Sequence, residues 1–193
     1  MRKVTVERID PSRFASLKGF DDGWRERFAR NPHLAKYVAG LLERSLPPPE
    51  LVEKLSRDMA AIKKPNLLYP VGDPVYIHLY VDPETKGLRY HPVEPRLKKD
   101  RERILADVEK ILAANIDEMD VPEDSSAREQ VLYKLIDKLF PLNSLIKTPS
   151  GLELKIDREL YSCLKYELYC EKIGVSLLEP MIRDPFIEDI HCS

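Results

Sequence analysis

The sequence predicts an α+β protein that is mainly helical, and three observations support this prediction. Apolar residues recur at helical spacing in several segments that end at proline or glycine. Residues 75–81 are instead a continuous run of β-branched and aromatic residues, which is typical of a strand. Prolines outnumber glycines by 16 to 7 among 193 residues, so short elements joined at prolines are expected.

We expect three parts along the chain. Residues 1–64 are predicted to form a helical subdomain, after a short strand at residues 4–6. Its helices are predicted at residues 22–30, 33–46 and 50–63, the last one started by three consecutive prolines. Trp24 and Phe28 are four residues apart, which favours a place in the core of this bundle over a ligand platform.

The second part, residues 65–150, is predicted to hold a short hairpin and long helices. The hairpin pairs strand 75–81 with residues 88–91, and its many prolines favour an edge-like position. Helices are expected at residues 96–115 and 125–146, with Pro141 kinking or ending the second one.

The third part, residues 151–193, is predicted to be the helix and first strand of an incomplete α/β domain. The helix is expected at residues 157–173, capped by Asp157 and closed by Gly174. The strand is expected at residues 186–192. Because an unpaired terminal strand leaves backbone groups without partners, we expect either a fragment or a strand added to another chain.

Composition excludes several functional classes. There is no GxxxxGK[ST], GxGxxG or GxSxG motif, so a self-contained nucleotide-binding enzyme or serine hydrolase is not expected. The net charge of −2 does not favour nucleic acid or an anionic membrane. The N-terminus lacks a secretory signal, no apolar run is long enough to span a bilayer, and three cysteines indicate a reducing compartment.

The sequence assigns no catalytic, metal-binding or cofactor-binding residue. The four histidines are scattered, and Cys163 and Cys170 lie two helical turns apart, too far to share one tetrahedral metal. A small enzyme with an unrecognised site remains a third hypothesis beside the two that follow below.

Basic residues cluster at the start of the helix predicted at residues 96–115. Its far end runs into an acidic connector, so the charges at both ends oppose the helix dipole. One interpretation is a solvated face with a connector; the other is a surface for docking like subunits or another partner. The basic residues are Arg96, Lys98, Lys99, Arg101 and Arg103.

The most specific motif lies near the C-terminus, where residues 174–190 read GVSLLEPMIRDPFIEDI. Pro180 is expected to end or kink a helix, and Asp184 before a proline favours a turn. Ile187 and Ile190 are expected to anchor the following strand. Arg183 is expected to pair with Asp184 or Glu188, or to contact a neighbouring subunit. The motif residues are Glu179, Pro180, Arg183, Asp184, Pro185, Glu188, Asp189 and Ile190.

This motif resembles the entry to the N-terminal α/β domain of the secretion ATPases, the motors of type II and type IV secretion, pili and archaella. The archaeal branch is the most similar. Two further segments support the resemblance, which covers residues 66–193: YPVGDP at residues 69–74 with its following strand, and the tyrosine-bearing helix at residues 159–170.

The resemblance implies the non-catalytic N-terminal portion of a cytoplasmic, hexameric motor at the inner face of the membrane. Such a portion moves against a RecA-like motor domain, assembles with like subunits and contacts a polytopic membrane platform protein. ATP and Mg belong to the motor domain, whose Walker A and Walker B motifs this sequence lacks. The alternative is a stand-alone scaffold or adaptor that has lost the motor.

Overall fold

The computed structural model describes residues 22–116 and 122–190, so the strand predicted at residues 4–6 lies outside the described residues. These residues divide into two compact units. The sheet unit comprises residues 22–94 and 177–190, and the helical unit comprises residues 95–176. The three-part organisation expected from the sequence stays a prediction.

The described elements confirm the predicted α+β class, with more residues in helices than in strands. The α-helices are α1 (Asp22–Arg30), α2 (Pro32–Glu43), α3 (Arg101–Ala113), α4 (Ser125–Leu139), α5 (Arg158–Lys172) and α6 (Glu179–Arg183). The strands are β1 (Glu50–Leu51), β2 (Asn66–Pro70), β3 (Tyr76–Val81), β4 (Leu88–Val93), β5 (Leu145–Lys147) and β6 (Glu153–Lys155). Two short 3-10 helices cover Arg57–Ala61 and Ser176–Leu178.

The sheet unit is built on a four-stranded sheet in the order β1-β2-β3-β4. β1 runs parallel to β2, and the other neighbours are antiparallel. The predicted hairpin therefore lies at one end of the sheet, with β4 as the edge strand and β3 as an interior strand. Strand β2 was missed because Pro65 and Pro70 bound it and its apolar residues do not alternate. Non-alternation is expected here, since Leu67 and Leu68 are both buried although they point to opposite faces.

One face of this sheet carries a hydrophobic core with α1 and α2. Trp24 and Phe28 are almost fully buried, with ring centroids 5.1 Å apart, which confirms their predicted place in the core. The core is completed by Leu34, Ala35, Val38, Leu68, Tyr76 and Val93. We call this the helix-covered face. Residues at the alternate positions, including Leu67, Tyr69 and Tyr90, form the opposite face.

The helix predicted at residues 50–63 is wrong. The segment instead forms β1 and the 3-10 helix Arg57–Ala61. Its apolar residues fit a helical period, but the N–H of Val52 donates to the carbonyl of Leu68 at 2.9 Å, which continues the pairing with β2. Tertiary pairing thus outweighs local periodicity here.

The helical unit has its own hydrophobic core between α3, α4 and α5. Fully buried members include Val108, Ile136, Phe140, Leu164 and Leu168. Helix α4 ends at Leu139, just before Pro141, as the sequence predicts. The hairpin of β5 and β6 that follows was not predicted.

The first residues of α5 and α3 can be compared with the helix starts that the sequence predicts. The Asp157 carboxylate accepts the N–H of Leu160 at 2.8 Å, so the predicted cap of α5 is confirmed. Helix α3 begins at Arg101 rather than at residue 96. Residues 96–100 cannot extend the helix because Asp100 has a φ of 51° and the N–H of Leu97 donates to Glu167.

The C-terminal motif forms a short helix and a turn. Pro180 lies in the first turn of α6, where no N–H partner is needed, so it begins a helix rather than ending or kinking one. Residues 186–190 contain no strand, which corrects the strand predicted at residues 186–192; residues 191 and 192 lie outside the described part. Ile190 is exposed, so it does not anchor a core.

Candidate functional site

The candidate site is the contact between the C-terminal motif and the uncovered face of the four-stranded sheet. We call residues 177–190 the strap and this side of the sheet the strap face. The strap belongs to the same unit as the sheet. Its side chains reach β2, β4 and the loop between β2 and β3, and Asp184 is at the centre of these contacts.

Asp184 accepts three hydrogen bonds, two of which join the strap to the sheet. The Tyr69 hydroxyl of β2 donates to Asp184 Oδ2 at 2.8 Å, and the Tyr90 hydroxyl of β4 donates to the same oxygen at 2.9 Å. The backbone N–H of Phe186 donates to Asp184 Oδ1 at 2.9 Å. Only 2% of Asp184 is exposed, so this carboxylate is almost completely removed from water.

The strand register explains why two tyrosines meet one carboxylate. Tyr69 pairs with Ile77, and Tyr90 pairs with Leu79, two residues further along β3. Both side chains therefore lie on the strap face, on either side of β3. Burial, followed by the hydrogen bond to Asp184, raises the pKa of Tyr69 and of Tyr90, so both stay protonated donors at every physiological pH.

The strap makes two further contacts around this carboxylate. The Phe186 ring packs edge-on against Tyr69, with centroids 5.9 Å apart. Arg183 Nε donates to Glu179 Oε1 at 2.7 Å within α6, and its guanidinium also reaches the Asp73 carbonyl at 3.5 Å. Arg183 therefore pairs with Glu179, one helical turn earlier, an almost fully buried acid that the sequence did not predict as its partner.

The Asp73 loop is fixed on its other side by the start of α2. Asn31 Nδ2 donates to Asp73 Oδ1 at 3.0 Å, and His33 Nε2 donates to the Pro74 carbonyl at 2.9 Å. The peptide bond between Asp73 and Pro74 is cis. The YPVGDP segment is thus an ordered connection that contacts both the start of α2 and the strap.

Most of the remaining motif residues lie at the surface of the strap. Pro180 is buried, whereas Pro185, Glu188, Asp189 and Ile190 are exposed. Exposed apolar side chains accompany them, with Leu177 exposed at 76% and Ile182 at 62%. The structure therefore separates the motif into a buried half, which holds the strap on the sheet, and an exposed half.

Two of the five residues of the predicted basic surface form ion pairs within the helical unit. Arg96 and Arg101 both bind the fully buried carboxylate of Glu167, with closest N–O distances of 3.1 and 2.7 Å. Two causes compete at Glu167: burial raises its pKa, and the hydrogen bonds, first from Arg101, lower it, with a net lowering.

The other three basic residues are more accessible. Arg103 binds the hydroxyl and carbonyl oxygens of Ser150. Lys98 and Lys99 are exposed, just before α3. The structure thus places the five residues in one stretch of the helical unit but gives them three different environments.

A histidine cluster on the helix-covered face was missed by the sequence analysis. The Tyr37 hydroxyl donates to His78 Nδ1 at 2.6 Å, and His78 Nε2 donates to Asn66 Oδ1 at 2.8 Å. The His91 ring stacks on Tyr37. Burial lowers the pKa of His78 to about 4, so its imidazole is neutral. The alternation of Tyr, His and Tyr along β3 was the signal that could have pointed to it.

Residues 22–116 and 122–190 form neither a metal-ion cluster nor a membrane-spanning helix. No group of three or more His, Cys, Asp or Glu side chains there is arranged to hold a metal ion. Within the same ranges, no helix is long and apolar enough to cross a membrane.

Comparison with known proteins gives one relative of unknown function. No family model matches the chain. An uncharacterized protein of Methanocaldococcus jannaschii is 31% identical to it over 180 residues, which cover 86% of the chain and 32% of the relative. The chain therefore spans about a third of the length of this archaeal protein.

Proposed function

We propose that this chain is the non-catalytic N-terminal portion of a hexameric motor ATPase of the secretion, pilus or archaellum family. It couples movement of the motor to a polytopic membrane platform protein, at the cytoplasmic side of the membrane. ATP and Mg act in a motor domain that this sequence does not contain. The resemblance of residues 66–193 to the archaeal branch is the basis of this proposal.

One observation carries the proposal: two segments that resemble the family bind each other. The hydrogen bond from Tyr69 to Asp184 joins them, and these two residues are 115 positions apart in sequence. Segments that share one buried contact are expected to occur together in a sequence. Their joint resemblance to one family is therefore stronger support than either motif alone. The greater length of the archaeal relative also fits a chain that is one part of a larger protein.

The strap supplies a physical route for the coupling. A single desolvated carboxylate, that of Asp184, joins it to two strands of the sheet, β2 and β4. Hydrogen bonds to a buried charged group are rigid and directional, so a displacement of the strap moves the sheet with it. In this proposal, motor movement reaches the sheet unit through residues 177–190.

The test is to compare the purified 193-residue chain with the polypeptide encoded by the complete gene. The proposal expects ATP hydrolysis by the complete polypeptide only, and binding of the platform protein by both. Asp184→Ala in the complete polypeptide should leave ATP hydrolysis intact and weaken motor output. Binding or hydrolysis of ATP by the 193-residue chain would contradict the proposal. A complete gene product that carries no motor domain would instead favour the adaptor.

A further inference from the structure

An apolar groove opens on the strap face of the sheet unit. It lies between the 3-10 helix Arg57–Ala61 and the strands, has a volume of about 450 Å³ and is open to solvent on one side. Small-molecule sites have volumes of roughly 300–1,000 Å³, so the groove is large enough for one ligand. Its main apolar lining residues are Leu55, Met59, Leu67, Leu79, Val81 and Leu88.

The charged residues that line the groove carry charge of one sign. Lys63 and Lys86 are the charged residues that line it, and no acidic residue does so. Lys86 Nζ donates to the Pro83 carbonyl at 2.5 Å, which fixes the ammonium at this position. Because an ammonium has three donors, two N–H groups of Lys86 remain for a ligand.

Two of the apolar lining residues are exposed, whereas Leu67 is buried and Leu79 and Val81 are half-buried. Leu88 is exposed at 61% and Ile62 at 41%, although both lie beside a concave surface. An unbranched apolar chain would remove this surface from water, and an anionic head group would meet the two lysines. We propose that the groove binds an apolar chain that ends in a carboxylate, with the chain on Leu67, Leu79 and Val81.

The experiment titrates the full 193-residue chain with decanoate and follows binding by calorimetry and by amide NMR shifts. We expect a Kd in the range of about 0.1–1 mM, with shifts confined to the groove. Octanoate should bind more weakly, by up to about fourfold for each methylene lost. Decanol should also bind more weakly, by up to about fivefold, since it cannot pair with a lysine.

Two variants and a matched control locate the site. Leu88→Gln changes an exposed side chain at the groove, so the fold is retained and decanoate affinity should fall. The double variant K63Q/K86Q should reduce decanoate affinity to the level of decanol. Leu177→Gln alters a comparably exposed leucine on the strap and should bind decanoate as the unchanged chain does.

Three results would overturn the proposal. The first is no saturable binding of decanoate, and the second is equal affinity of the Leu88→Gln and unchanged chains. The third is a concentration-dependent dimer in sedimentation whose interface shifts map to the groove, because the occupant would then be a second copy. None of these results depends on the motor proposal, which is tested by ATP hydrolysis and platform binding.

Discussion

Removing the Asp184 carboxylate should release the strap and destabilise the sheet unit. In Asp184→Ala, two tyrosine hydroxyls and the N–H of Phe186 lose their acceptor. Hydrogen bonds to a charged group contribute about 1.5–3 kcal/mol each, so three bonds set an upper bound of about 9 kcal/mol. Tyr90 is only half-buried and its hydroxyl can be rehydrated, so we expect a loss of about 3–5 kcal/mol in the free energy of unfolding.

The assay is urea unfolding at pH 7, followed by two probes. The single tryptophan of the chain, Trp24, is buried in the sheet unit, so its fluorescence reports that unit. Far-UV circular dichroism also reports the helical unit, which is why the two transitions must be compared. The tryptophan transition should move to lower urea in Asp184→Ala.

A matched control separates the buried carboxylate from strap charge in general. Asp189→Ala removes the same group from an exposed position of the strap, and its effect should stay within about 0.5 kcal/mol. Equal destabilisation by Asp184→Ala and Asp189→Ala, or none by either, would refute the reasoning that the buried contact holds the strap.

Three further predictions concern other buried polar groups. Burial lowers the pKa of His33 and of His78 to about 4, so the unfolded chain binds more protons than the folded chain below pH 6.5. The free energy of unfolding, measured with urea, should therefore fall as the pH drops from about 6.5 towards 4, by up to about 3 kcal/mol per histidine. His78→Gln should remove the part of this pH dependence that His78 contributes. Glu167→Gln should cost about 3–5 kcal/mol in the circular dichroism transition, because two arginines lose a buried anion. Asp107→Ala leaves the Thr148 hydroxyl without the acceptor that lies 2.6 Å away, and it should lower the free energy of unfolding by about 1–3 kcal/mol in the same measurement. An unchanged unfolding midpoint in Glu167→Gln or in Asp107→Ala would contradict the stabilising role of the carboxylate removed.

Local patterns predicted the elements that depend on local chemistry. The end of α4 before Pro141 and the cap of α5 by Asp157 follow from the geometry of single residues. Strand β3 follows from its β-branched and aromatic composition. In each case the deciding interaction lies within a few residues of the element itself, so no tertiary information is needed.

Elements that depend on distant pairing were not predictable in this way. Residues 50–63 have helical periodicity, yet the N–H of Val52 pairs with Leu68, sixteen residues away. The terminal strand was expected from local composition, but the turn at Asp184 is fixed by tyrosines of β2 and β4. Local patterns carry no record of such partners, which is why these two predictions failed.

The candidate site was predicted in its residues but not in its chemistry. Asp184 was singled out as a turn former, and its role as a buried acceptor depends on Tyr90, which the sequence analysis did not name. Glu167 had a usable signal, since it falls beside Leu164 and Leu168 on the buried side of α5. A buried acid at such a position needs a cationic partner, and Arg96 and Arg101 provide it.

The measurement that tests the central claim most directly is the nucleotide sequence downstream of the codon for Ser193. The motor proposal predicts a reading frame that continues into a RecA-like domain with a GxxxxGK[ST] loop and a Walker B motif. A stop codon immediately after Ser193, or a continuation without these motifs, would contradict it.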